Sequence, residues 1–115
     1  MRQAGVLAAA GLVALETMRG RLAEDHANAR TLADGLAGFS WLRLEIPEPI
    51  TNIVYAQITD GPRYTNRRFV AALRERGVLC NAVRGHRVRW VTHHDVSRAD
   101  ILAALEAVPA AWASL

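Results

Sequence analysis

Apolar residues crowd the start of the chain without a charged interruption. Positions 4–15 read AGVLAAAGLVAL, and alanine and leucine remain frequent up to position 36. A proline-free run of this kind predicts one long helix over residues 3–36, with room for a bend and with Gly35 and Gly38 as its stop. The two halves differ in pattern. Residues 4–15 are apolar on every side, which asks for burial all round rather than along one stripe. From Glu16 the pattern turns amphipathic: Leu22, Ala29, Leu32 and Leu36 recur at helical spacing, and Arg19, Glu24, Asp25 and Arg30 are left for the wet side. The remaining sequence has too little mass to surround the first half, so that half expects a neighbour. No Ser, Thr, Asp or Asn caps the start, and Met1 reads as an internal methionine.

Shorter periods follow. Residues 41–46 alternate as a short strand that ends at Pro47 and Pro49. Residues 52–59 (NIVYAQIT) are β-branched and aromatic and form the clearest strand. Asp60-Gly61-Pro62 is a turn. Thr65 is placed to cap a helix running to Arg76, with Phe69, Val70 and Leu73 inward and Gly77 as its stop. Residues 78–83 and 87–92 predict two strands around the glycine-containing connection Arg84-Gly85-His86. Ser97 caps a last helix, with Asp100 at the capping-box position and Ile101, Leu102, Leu105 and Val108 on its buried face; Pro109 weakens it.

The order is a helix followed by β-β-α-β-β-α. That pattern predicts an α+β domain of two layers, two helices on one face of a mainly antiparallel sheet. Residues 1–38 form a linking helix and residues 39–115 a small α+β domain.

Composition narrows the chemistry. All fourteen basic residues are arginine and none is lysine, so no side chain of this chain can form a Schiff base. The pI near 10 raises nucleic-acid binding, but the arginines are scattered among eleven acids with no basic run interleaved with aromatics. The single cysteine, Cys80, excludes an intrachain disulfide and fits a reducing cytoplasm; within Val78-Leu79-Cys80 it reads as a buried structural thiol. The apolar run at positions 4–15 is too short to cross a bilayer.

Candidate chemistry is concentrated near the last predicted strand. Alternation puts Val88 and Trp90 on one face, toward the helices, and Arg87 and Arg89 on the other. Two arginines there describe either a solvated face or an anion site, because a guanidinium fork matches a carboxylate. His93-His94-Asp95 invites a metal reading, but adjacent residues at a strand end are expected to splay apart, so no metal site is expected. His26 and His86 have no identifiable partner.

Several segments together resemble a known family. Residues 1–12 (MRQAGVLAAAGL), 22–26 (LAEDH), 51–54 (TNIV), 76–79 (RGVL) and 88–98 (VRWVTHHDVSR) are similar, in order, to the C-terminal part of low-specificity threonine aldolases. The resemblance implies an aspartate-aminotransferase-like fold, in which a large N-terminal domain precedes a small one and the chains assemble as a homo-oligomer, a dimer or tetramer. It implies pyridoxal phosphate as cofactor, bound covalently to a lysine that precedes the Met-Arg-Gln segment, and cleavage of threonine or allo-threonine to glycine and acetaldehyde. The resemblance also assigns Arg89 to the substrate carboxylate and Arg2 to the neighbourhood of the cofactor phosphate or the subunit boundary. This chain would then be a C-terminal fragment, inactive by itself, with no nucleic-acid or membrane partner. An aminotransferase or β-eliminating lyase of the same fold, or a stand-alone interaction module, are the alternatives.

Overall fold

The computed structural model describes residues 2–62 and 65–115. A helical stretch opens the chain: α1 spans Ala4–Val13, a π-helical turn Ala14–Met18, a 3-10 turn Arg19–Arg21 and α2 Leu22–Ala37. The expected long helix is therefore broken in register at its middle. Thr17 lies in the π turn, and its hydroxyl donates back to the Val13 carbonyl at 2.6 Å; Gly20 lies in the 3-10 turn. A side chain bonding back into the helix and an unbranched backbone position are recognised sources of such bends.

Four strands follow, β1 (Leu42–Leu44), β2 (Ile53–Ile58), β3 (Asn81–Val83) and β4 (Arg87–Val91), with α3 (Thr65–Glu75) between β2 and β3 and α4 (Arg98–Ala113) last. They form one antiparallel sheet in the order β1-β2-β4-β3. Alternation sorts the two faces. Leu42, Val54, Ala56, Ile58, Val88 and Trp90 are buried on one face, together with α2 residues Ala29, Leu32, Ala33 and Leu36 and α3 residues Phe69 and Leu73. Helices α2 and α3 pack on that face, and α4 packs against both of them. At the far end Trp112 of α4 stacks on Trp41, with ring centroids 3.9 Å apart, and Phe69 meets both rings edge-on. Removing a fully buried ring such as Phe69 costs about 3–5 kcal/mol.

Local signals explain the helix ends. Ser97 accepts from the Asp100 amide while the Asp100 carboxylate accepts from the Ser97 amide, a reciprocal cap. At the end of α3 Gly77 adopts φ 81°, its N–H donates to the Arg74 carbonyl, and the Val78 N–H donates to Leu73. This paired closure needs a left-handed residue, which glycine provides without a Cβ clash.

Several expectations are corrected. Leu22 and Leu102 are 51% and 47% exposed rather than buried, because the helical surface facing the core is narrower than the apolar pattern. Thr65 lies inside α3, and its hydroxyl donates to the Pro62 carbonyl instead of capping the helix. Residues 78–80 approach the sheet without pairing, so β3 starts at Asn81. Helix α4 runs on through Pro109. Gly35 does not stop α2; it lies within it, where Leu105 of α4 comes close. In agreement with expectation, the rest of the chain does not cover α1: none of its residues is buried, and Val6, Leu7, Leu12 and Val13 are all more than half exposed.

Candidate functional site

The face of the sheet opposite the helices carries the polar residues of the strands. In the antiparallel register Arg89 of β4 stands between Tyr55 of β2 and Asn81 of β3, while Arg87 stands between Gln57 and Val83. Nearer the sheet edge, Arg43 of β1 pairs with Gln57 and donates to its side-chain oxygen at 2.6 Å. The outward orientation of Arg87 and Arg89 follows from Val88 and Trp90 being drawn into the core, since neighbours along a strand point to opposite faces.

The two arginines have different surroundings. Arg87 is engaged: its Nη1 lies 3.2 Å from the Glu45 carboxylate, its Nε donates to the Arg84 carbonyl at 2.9 Å, and its guanidinium sits 5.6 Å from the Tyr55 ring centroid. Arg89 is half-buried, and its Nε is shielded from solvent with no hydrogen-bond partner among the described residues. A desolvated charged donor without an acceptor is costly; because this Nε is closed to solvent, a carboxylate reaches it only if the side chain turns outward, and pairing then offsets that cost.

Arg2 is not on the sheet. It is exposed just before α1, in which nothing is buried, and no hydrogen bond or ion pair joins it to Arg89 among the described residues. Gln3 beside it has φ 55° and supplies no side-chain cap to α1.

The turn after β4 departs from the sequence expectation. His93 and His94 do not splay apart: Asp95 Oδ1 lies 3.0 Å from His94 Nε2, and the Asp95 N–H donates to His93 Nδ1 at 3.4 Å, with Oδ2 3.7 Å from the same nitrogen. Cys80 is half-buried beside the core, and burial pushes its thiol pKa up to about 12, the opposite of an activated nucleophile. Glu45 and Tyr55 were not singled out by sequence reasoning. Their place beside the arginines depends on how β1, β2 and β4 are aligned, and no local pattern encodes that alignment.

The structure is a two-layer α+β unit with a polar sheet face on which the Arg89 Nε has no hydrogen-bond partner among the described residues. A family profile described as Beta-eliminating lyase matches residues 1–60, just over half of the 115 residues, and the chain belongs to that family. Among curated proteins, the probable low-specificity L-threonine aldolase 2 of Arabidopsis thaliana is 40% identical over 101 residues, which cover 88% of this chain and 28% of that protein. The low-specificity L-threonine aldolase 1 of the same plant is 37% identical over the same span. The low specificity L-threonine aldolase of Escherichia coli (strain K12) is 40% identical over 100 residues, covering 85% of this chain and 27% of the bacterial protein. The chain thus spans a little over a quarter of the length of these relatives. No helix among the described residues is long and apolar enough to cross a membrane.

Proposed function

We propose that these 115 residues are the C-terminal small-domain portion of a pyridoxal-phosphate-dependent threonine aldolase, and that Arg89 binds the carboxylate of the amino-acid substrate. The observation that carries the reading is Arg89: it lies on the face away from the helices, and its Nε is buried without an acceptor among the described residues while neighbouring Arg87 is taken up by Glu45. The likeness to threonine aldolases over most of this chain supplies the substrate class.

The donors of this chain fit the cofactor in part. Arg2, exposed at the start of α1, is suited to a phosphate contact. The chain has no lysine to hold the cofactor covalently, so that anchor belongs to another part of the enzyme. When bound, pyridoxal phosphate supplies the electron sink for breaking a bond at Cα. Arg89 contributes orientation: two parallel N–H donors gripping a carboxylate fix the torsion of the amino acid and thereby which Cα bond is presented for cleavage. The guanidinium stays protonated throughout, so it balances the carboxylate charge without exchanging a proton. Tyr55 and Asn81, on either side in the register, restrict where the side chain can swing.

The exposed apolar surface of α1 and the open sheet face are the surfaces against which a large cofactor-bearing domain and a second subunit would pack. In this reading the enzyme is a cytoplasmic homo-oligomer.

The test uses the longer enzyme that contains this sequence. Arg89→Lys keeps the charge but loses the fork, and it should lower kcat/KM for threonine by about thirtyfold, with kcat falling as well as KM rising. The 115-residue chain alone with added pyridoxal phosphate should release no acetaldehyde. A cofactor-loaded Arg89→Ala enzyme with unaltered kcat/KM defeats the assignment of Arg89, and turnover by the chain alone defeats the placement of the covalent anchor elsewhere. The family match favours one second reading, β-elimination. Pyruvate and ammonia formed from a β-substituted amino acid, with no glycine from threonine, would establish that instead.

A further inference from the structure

The geometry points to a surface site for a divalent transition-metal ion formed by His93, His94 and Asp95, independent of the function proposed above. The ligating atoms of these residues all lie within 4.8 Å of one another, and all three side chains are exposed. Asp95 is the hub: one carboxylate oxygen lies 3.0 Å from His94 Nε2, and its N–H donates to His93 Nδ1 at 3.4 Å, a contact that an ion at that nitrogen would displace. The two imidazole nitrogens are borderline donors and the carboxylate a hard one, and a set with two imidazoles favours zinc, nickel and cobalt over calcium or magnesium. With both rings and the carboxylate side by side, an ion would replace the present His–Asp contacts, and side-chain rotation brings the ligating atoms to bonding distances of about 2.0–2.2 Å.

The backbone beneath the cluster is held at both ends, so an ion would not have to order it. On one side Thr92 is buried; its hydroxyl donates to the Asp25 carbonyl at 2.6 Å and its N–H to the Asn52 carbonyl at 2.9 Å. On the other side the Val96 N–H donates to the His93 carbonyl at 2.8 Å, and the Val96 carbonyl accepts from Asn28 at 3.0 Å. The Ser97–Asp100 cap follows immediately. A turn fastened in this way fixes the backbone from which the three side chains project, which reduces the ordering cost of binding. Exposure leaves the other coordination positions to water, so the ion would be exchangeable and not a folding requirement.

The measurement is equilibrium dialysis of the protein, prepared without a histidine tag, against Zn2+, together with visible spectra on adding Co2+. The expected result is a single bound equivalent and cobalt d–d absorption. Replacing both ligands, His93→Asn with His94→Asn, should weaken binding by at least about tenfold, while His26→Gln with His86→Gln leaves it intact. As a readout that does not rely on variants, Ni2+ should broaden amide NMR signals of residues 92–97 first. Absence of stoichiometric binding, broadening centred on His26 or His86, or undiminished affinity in the doubly substituted 93/94 protein would each overturn the proposal.

Discussion

Burial keeps the Cys80 thiol protonated up to about pH 12, whereas its ordinary value is 9.0. The sign of the linkage follows. Below about pH 9 both folded and unfolded chains carry the thiol and Cys80 has no effect; above it the unfolded chain loses the proton first, so stability falls as pH rises toward about 12. Cys80→Ala should flatten that alkaline loss in urea titrations, and in the native protein Cys80 should resist iodoacetamide at about pH 8 and react on unfolding. At the start of α4, the hydrogen bonds from Ser97 hold the Asp100 carboxyl below its usual range. Ser97→Ala removes the cap and should cost about 1 kcal/mol by thermal or urea denaturation. These residues were readable in advance: a Ser-x-x-Asp spacing before an apolar run states its own purpose, and so does Gly77 after α3. Arg89 was readable only as one of two outward arginines. That Arg87 is occupied by Glu45 and Arg89 is not depends on the neighbouring strands.

Between elements, the crossing of α2 and α4 is set by Gly35. A Cβ at that position would meet Leu105 Cδ1 at 2.3 Å, and Leu105 Cγ at 3.0 Å, so the whole Leu105 side chain would have to move. Gly35→Ala should therefore destabilise the fold by about 1–3 kcal/mol despite alanine's better helix propensity. In a Leu105→Ala background the same change should turn neutral or stabilising by up to about 1 kcal/mol; equal cost in both backgrounds would show that the contact does not set the crossing. From the sequence Gly35 looks like a helix stop, because a glycine near a helix end has that role more often than it accommodates another helix. The π and 3-10 turns over residues 14–21 were equally hidden, since Thr17 and Gly20 sit in a run whose propensity is helical throughout.

At the scale of the whole molecule the chain is elongated, 50 × 29 × 24 Å, with a radius of gyration of 16.4 Å against about 13 Å for a compact domain of this length. Helix α1 accounts for the excess, since none of its residues is buried. Several large apolar side chains on an uncovered helix make a contiguous patch of the kind that seeks a partner. The 115-residue chain by itself should associate, giving sedimentation coefficients that rise with concentration, and Leu7→Glu with Val13→Glu should abolish the rise. A chain that stays monomeric across that range without the glutamates would show the patch to be tolerated in water.

Local pattern settled helices α3 and α4 and the end signals at Gly77 and Ser97, because capping and period depend on residues a few positions apart. It also settled which way Val88, Arg89 and Trp90 face, since strand alternation has a period of two and a core needs only one side. The absence of lysine likewise follows from composition alone and places the covalent chemistry of the proposed enzyme outside these residues. Tertiary structure decided what a residue's distant neighbours do to it. Strand alignment gave Arg87 a carboxylate and left Arg89 without one, the approach of α4 turned Gly35 from a stop into a contact, and a turn pinned at Thr92 and Val96 brought together two histidines that a free strand end would have parted.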